Sequence, residues 1–467
     1  MSFPLDARAR LTLPDAATLA RHDGAVHRLR VERDRALASV PDLEALRDHA
    51  AAIKAHALDH LDRYLEEFEA RARERGAVVH WAGDAASHNR IVAVLLAARG
   101  ATRVVKSKSM LTEECGLNPA LEACGVEVVD TDLGERIVQL GGEPPSHIVV
   151  PAIHRRREEV GALFHRHLGT PAGESDPARL MAAARADLRA RFLAAQAAIS
   201  GVNFAVAETG TLVVVTNEGN ADLGTSLAPL HVASLGIEKL VPTLDDLAVF
   251  LRLLARSATG QALSVYTTLL TGPRAGGELH VILVDAGRTR LLASPVHRSA
   301  LRCIRCGACL NTCPVYRRAG GHAYGTSVAG PIGAVLAPAL DPDPAARALP
   351  YASSLCGSCT AVCPVRIDLH GQLLAWRREA PALPVGLRLG ARVAGVVLAR
   401  PRLFRATGRL LRRLWPLLER RFPGNPARAW LASRALPPHP GPSFAERWAV
   451  RAVRAGSPPR ASRGDEP

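Results

Sequence analysis

At 467 residues, 48% hydrophobic and with a mean hydropathy of +0.06, the chain is long enough for two or three domains and a sizeable core. Of its net charge of +15, the stretch Gly386–Pro467 carries +13 (17 Arg, no Lys, four acidic residues), so the body is near neutral, and with aromatics at 4% no nucleic-acid partner is expected. No uncharged apolar run reaches the roughly 18 residues of a membrane span, and Met1–Arg8 lacks the apolar core of an export signal, so a cytoplasmic protein is expected.

Residues 15–75 pair helical periodicity with strong helix formers, as in Leu43-Glu44-Ala45-Leu46, and predict two or three helices, mostly structural. After Gly76 the pattern alternates. Strands are predicted at Ala77–Ala82, Arg103–Lys106, Val126–Asp130 and His147–Val150. Between them fall a helix capped by Asp84 and closed at Gly100, and another from about Thr112. Helices follow at Arg155–Leu168 and Asp176–Ile199. This alternation predicts an α/β body with a parallel sheet covered on both faces. Further strands are expected at Asn203–Val206, Thr211–Val215, His231–Ser234, Ser264–Thr268 and His280–Val284, with a helix at Leu244–Arg256. Asp285-Ala286-Gly287 closes the body, and Pro381–Pro384 marks a second break. The expected domains are therefore 1–75 (helical), 76–290 (α/β), 291–380 (cysteine-rich), 381–454 (basic, helical) and 455–467 (disordered). Helices at Leu387–Leu398 and Leu403–Leu418 carry Arg on one side, which suits an acidic partner, an anionic membrane face or plain solvation.

Seven of the nine cysteines lie in two motifs. The first is Cys303-x-x-Cys306-x-x-Cys309-x-x-x-Cys313-Pro314, the second Cys356-x-x-Cys359-x-x-x-Cys363-Pro364. A zinc ribbon has no use for the third cysteine followed by Cys-Pro, and a disulfide scaffold belongs to small secreted chains. The spacing is that of paired cubane iron–sulfur clusters, in which the last cysteine of each run serves the other cluster. One cluster is then expected on Cys303, Cys306, Cys309 and Cys363, and the other on Cys313, Cys356 and Cys359. Laid on the first motif, the second has Ser353 where the eighth thiolate would fall. Serine oxygen suits iron–sulfur clusters poorly, so that position is open to Ser353, water or a partner's group.

Three other stretches could carry chemistry. Lys106-Ser107-Lys108-Ser109 follows a predicted strand, where Lys106 and Lys108 suit a carboxylate or phosphate as well as solvent. Glu208-Thr209-Gly210-Thr211 and Thr216-Asn217-Glu218-Gly219-Asn220 read as a ligand crevice at strand ends or as two tight turns. No Gly-x-Gly-x-x-Gly follows a strand, so no nicotinamide or flavin site is evident.

The first motif, Cys303-Ile304-Arg305-Cys306-Gly307-Ala308-Cys309-Leu310-Asn311-Thr312-Cys313-Pro314, resembles the LutB-type lactate utilisation iron–sulfur proteins. Leu355-Cys356-Gly357-Ser358-Cys359 agrees, and Glu208–Thr211 with Thr216–Asn220 resembles the LUD-domain signature. The resemblance implies a NagB/CoA-transferase-like LUD domain with N-terminal helices, an α-helical ferredoxin-like domain with two [4Fe-4S] clusters, and a basic helical tail. It also implies one component of a three-protein system oxidising L-lactate to pyruvate, beside a CCG-domain iron–sulfur protein and a smaller LUD protein. The sequence leaves open another 2-hydroxy acid such as glycolate, or a small-anion-binding LUD module whose clusters are structural.

Overall fold

Short buried strands alternating with amphipathic helices build the centre of the molecule. In the computed structural model, which describes residues 16–341, 343–379, 385–419, 431 and 437–454, ten strands form two sheets. The strands are β1 (Val78–Ala82), β2 (Arg103–Lys106), β3 (Glu127–Asp130), β4 (Ala197–Gly201), β5 (Phe204–Val206), β6 (Thr211–Thr216), β7 (Leu230–Gly236), β8 (Leu240–Val241), β9 (Tyr266–Leu270) and β10 (Glu278–Val284). The larger sheet has the order β1-β10-β7-β4-β2-β3, and all its pairs are parallel. The smaller sheet, β8-β5-β6-β9, is mixed. A wholly parallel sheet must be buried on both faces, and β7 is buried along its whole length.

The Asp84 cap is present, its carboxylate accepting from Ser87 N at 2.7 Å above the helix Ala85–Ala98. Three expected elements differ. His147–Val150 is not a strand: the buried His147 ring accepts the amides of Val149 and Val150 on Nδ1 (3.0 and 3.1 Å), so a side chain takes the bonds a ladder would have used. The helix predicted over Asp176–Ile199 ends at Ala194, and β4 begins at Ala197. Small residues hid this central strand. Ala198 packs beneath Gly224 of the helix Asn220–Leu227, and a side chain on Gly201 would collide with Ser109. The helix expected from about Thr112 is two, Met110–Glu114 and Leu117–Glu122, broken where Gly116 takes φ +62°.

Residues up to Pro381 form one compact unit. Its main core runs from Phe68 and Ile53 in the N-terminal helices, through Phe204 and Phe250, to Leu310, Tyr316 and Leu373 around the cysteine motifs. The chain from Ala382 forms a second unit, with helices Val385–Leu398, Pro401–Glu419 and Phe444–Arg454. Arg412 pairs there with Glu446 at 2.6 and 2.8 Å, and Leu410, Leu411, Leu414 and Leu417 are exposed. The disorder expected over 455–467 lies outside the described residues. Among the described residues no helix is long and apolar enough to cross a membrane.

Candidate metal centre and adjoining crevice

The two cysteine loops share one backbone device. Arg305 and Leu355, each just ahead of a cysteine, take φ of 58° and 55°, and Gly307 and Gly357, just after it, take 78° and 80°. Left-handed backbone costs a non-glycine residue about 1–2 kcal/mol. Both loops carry that cost at the same place, and the turn leaves amides directed at sulfur. Arg305 N donates to Cys303 Sγ at 3.4 Å and Ile367 N to Cys363 Sγ at 3.3 Å. The amides of Ala308 and Ile332 serve Cys306 and Cys309.

Electrostatic neighbours sort the thiols into two sets. Burial raises the Cys309 thiol well above its ordinary value, and the sulfurs of Cys303, Cys306 and Cys363 raise it further. Burial likewise pushes Cys306 up to about 12 and Cys363 up to about 11, with Cys303 adding to both. The second set is Cys313, Cys356 and Cys359. Burial, then Cys313, pushes Cys359 up to about 11, whereas exposed Cys356 is lowered by the Ser358 amide and the Ser354 hydroxyl. Buried thiols this hard to ionise stay protonated unless a soft cation takes them. Four gathered sulfurs with amide donors on them fit a cubane cluster, and three fit a second with one position supplied otherwise. The Ser353 hydroxyl accepts from Leu355 N at 3.1 Å. Cys115 sits among Val92, Leu96 and Leu117, and Cys124 is exposed, so neither adds to the three.

The N-terminal helices hold these loops. Buried Arg33 donates to Ala308 O at 3.1 Å, and Arg47 to Ala361 O at 2.6 Å and Cys363 O at 2.8 Å. Residues read from sequence as structural helices thus pin both cysteine loops by their carbonyls.

Beside the first loop lies a crevice of about 370 Å³ where the carboxyl ends of the parallel strands meet the smaller sheet. Such ends are where α/β sheets bind ligands. Ser107–Ser109 follow β2, Asp132 follows β3, and Glu238, Lys239 and Arg288 follow β7 and β10. Arg305 enters from the cysteine motif. Arg288 bridges Glu238 Oε2 at 2.6 Å and Glu114 Oε2 at 2.7 Å, while Arg305 meets Glu114 Oε1 at 3.1 Å. Burial pushes the Glu238 carboxyl up, but Arg288, Lys239 and Arg305 outweigh it and hold it down at about 2. Burial lowers Lys239.

Of the residues singled out from sequence, Lys108, Asn217, Glu218 and Asn220 line this crevice. Lys108 is tied to Asp132 (2.9 Å) and Val149 O (2.9 Å), Asn217 to Gln261 (2.9 Å), and Glu218 accepts from Leu133 N at 3.0 Å. Gly219 makes the turn at φ +69° against the Tyr266 ring. Lys106 is a correction: it is fully buried on Glu113 and Asp130, both at 2.8 Å, and closed to a ligand. Glu208, Thr209, Gly210 and Thr211 are another. Glu208 accepts from Leu244 N at 2.6 Å at the start of the helix Leu244–Ala258. Thr209, Thr211 and Thr271 form a hydroxyl chain with 2.8 Å links, and Gly210 abuts the Arg71–Ala72 backbone. That turn joins sheet to helices and stands outside the crevice. Glu114, Glu238, Lys239, Arg288 and Arg305 were not singled out. Glu238 and Lys239 come soon after the apolar strand β7, but nothing in the local sequence marks Glu114, Arg288 or Arg305, which the fold brings to them.

Residues 65–291 match the LUD domain family and 299–367 the 4Fe-4S dicluster domain family. The chain is 43% identical over 432 residues to lactate utilization protein B of Geobacillus thermodenitrificans, spanning 89% of this chain and 90% of that one. The chain belongs to the lactate utilization protein B family. The Exiguobacterium member is 44% identical, covering 84% of this chain and 86% of its own. An Escherichia coli relative, the uncharacterized electron transport protein YkgF, is 44% identical and covers 79% of each chain. A DUF162 family protein from Deinococcus radiodurans overlaps 48% of this chain and 98% of its own at 16% identity and a TM-score of 0.28, too loose to bear on the fold. Membership in the lactate utilization protein B family and the dicluster match make this an iron–sulfur protein with 4Fe-4S clusters beside a LUD domain.

Proposed function

We propose that this protein is the iron–sulfur electron-transfer component of a three-protein system that oxidises L-lactate to pyruvate. Its partners in this reading are a CCG-domain iron–sulfur protein and a smaller LUD-domain protein. The observation that carries it is Arg305, which stands between Cys303 and Cys306 and also lines the LUD crevice, so one residue belongs to both sites. The names of the relatives, lactate utilization protein B and an electron transport protein, point the same way.

Two clusters complete the proposal, one on Cys303, Cys306, Cys309 and Cys363, the other on Cys313, Cys356 and Cys359 with a fourth position from Ser353, water or a partner. Bound there, they supply one-electron transfer. The chain's own groups do the rest. Amides of Arg305, Ala308, Ile332 and Ile367 stabilise charge on sulfur. Ile148 and Val149 wall the crevice toward the first loop, and Glu114, Glu238 and Arg288 order its polar end. Deleting the gene is expected to abolish growth on L-lactate and spare growth on glucose, and tagged protein to co-purify with the two partners. Unchanged growth on L-lactate in a strain with no other lactate dehydrogenase overturns the reading.

A further inference from the structure

Not every charged group in the crevice is paired. Around Glu238 two carboxylates, Glu238 and Glu114, meet three cations, Arg288, Arg305 and Lys239, while the other carboxylates of the lining, Asp132 and Glu218, are held by Lys108 and by the Leu133 amide. Arg288 takes one oxygen of Glu238 and one of Glu114, at 2.6 and 2.7 Å. Arg305 takes the other oxygen of Glu114 at 3.1 Å and stands 4.0 Å from the other oxygen of Glu238. Three of the four carboxylate oxygens are thereby hydrogen-bonded, and the fourth faces Arg305. Lys239 lines the same crevice and makes no side-chain hydrogen bond or ion pair among the described residues. The neighbouring lysines are all engaged: Lys54 on the carbonyls of Glu238 and Leu240, Lys106 on Glu113 and Asp130, Lys108 on Asp132. A partly desolvated ammonium that feels Glu238 only at a distance, with no hydrogen-bonded partner, is costly unless an anion completes it.

We infer that Lys239 anchors the carboxylate of a small 2-hydroxy or 2-oxo acid in this crevice, beside the Cys303 loop. Only the choice of acid rests on the redox reading above. The size agrees, since about 370 Å³ is at the low end of ligand sites and suits a few heavy atoms with water. The walls agree as well. Val214, Val215, Leu254 and Ala258 also line it, and they suit a short alkyl group. Gly236 keeps the polar end open, because a side chain there would collide with the Glu238 carboxylate and Arg288 Nε. A competing role for Lys239 is to offset negative charge at Cys303, which acts on it electrostatically. The two roles separate by experiment.

The test uses full-length protein purified anaerobically with its iron, titrated calorimetrically with pyruvate, L-lactate, glycolate and the neutral analogue lactamide. Cluster potentials are measured in parallel by redox titration. Wild type is expected to bind at least one of the acids and not lactamide. Lys239→Met should weaken that binding by about ten- to a hundred-fold, as for loss of a charge-assisted hydrogen bond in a buried site. Lys239→Arg should keep most of it. If Lys239→Met cannot be loaded with iron, Lys239→Gln and the wild-type contrast between acid and lactamide decide. Unchanged affinity in the variant overturns the inference, including when the cluster potential alone has moved. Wild type that binds none of the acids, or binds lactamide equally, overturns it too. Binding of glycolate but not lactate, lost in Lys239→Met, keeps the anchor and overturns the lactate reading instead.

Discussion

The two cysteine motifs make the same turn in different surroundings. In the first, a side chain on Gly307 would meet Val149 Cγ2 at 3.0 Å and the His147 ring at 3.3 Å, and Cys306 and Cys309 are buried. In the second, the nearest atom to the same position on Gly357 is His370 Cε1 at 4.0 Å, and Cys356 is exposed. The backbone φ values agree within a few degrees at both flanking positions, so the sequence motif sets the loop. What the LUD body adds is enclosure, and it adds it to the first loop. Solvent exposure is one of the levers that set a cluster's potential, so the two loops would hold clusters of different potential.

The largest effects should come from breaking the two thiol sets. Cys303→Ser and Cys363→Ser, sixty residues apart, are expected to remove the same cluster, and Cys313→Ser the other. Iron counting and electron paramagnetic resonance on anaerobic protein read this directly. If Cys313→Ser and Cys303→Ser abolish the same signal, the grouping is wrong.

A smaller effect tests the wall behind the first loop. His147 accepts two amides on Nδ1 and meets Asn311 Oδ1 through Nε2 at 2.9 Å, so the fold needs it neutral. Burial lowers its pKa to about 4 from an ordinary 6.5. The unfolded chain therefore takes up a proton between those values that the folded chain refuses. Stability from this residue is full above pH 6.5 and falls as pH drops toward 4, on the order of 3 kcal/mol in all. Denaturant midpoints across that range should fall more steeply for wild type than for His147→Gln, which cannot titrate. Parallel slopes would show that His147 is not the titrating group.

The same residues show what the sequence disclosed. The cysteine spacing was legible because a ligand set needs particular atoms at fixed intervals. The parallel sheet was legible because buried strands between helices have a periodic signature. His147 was misread because His-Ile-Val-Val has the composition of a strand, and only the fold puts its ring on its own backbone. β4 was missed because Ala197 and Ala198 favour a helix locally and a central strand globally, where small side chains let a helix approach. Lys239 and Arg305 went unnoticed for another reason. Each is ordinary in its own segment, and their meeting depends on bringing 239 and 305 together. The reverse error was Glu208–Thr211, a conspicuous polar turn that the fold spends on a helix cap and a glycine packed against backbone.

The smallest expected effect concerns the second loop's missing thiolate. Three sulfurs, Cys313, Cys356 and Cys359, share an electrostatic neighbourhood, and no fourth cysteine joins them. Ser353 holds the place equivalent to Cys303, with its hydroxyl on Leu355 N at 3.1 Å. Cys303 accepts the amide of Arg305 at 3.4 Å, also two residues on, so the turn presents both side chains alike. A thiolate should therefore fit where the serine stands. Ser353→Cys is expected to slow loss of iron from this set in air on the order of ten-fold, since a soft ligand replaces a hard, weakly acidic one. The first set should be unaffected, because its four sulfurs are complete. Wild type is expected to lose iron from the second set first. Two equally air-stable clusters in wild type, unchanged by Ser353→Cys, would mean that the fourth position is already well filled.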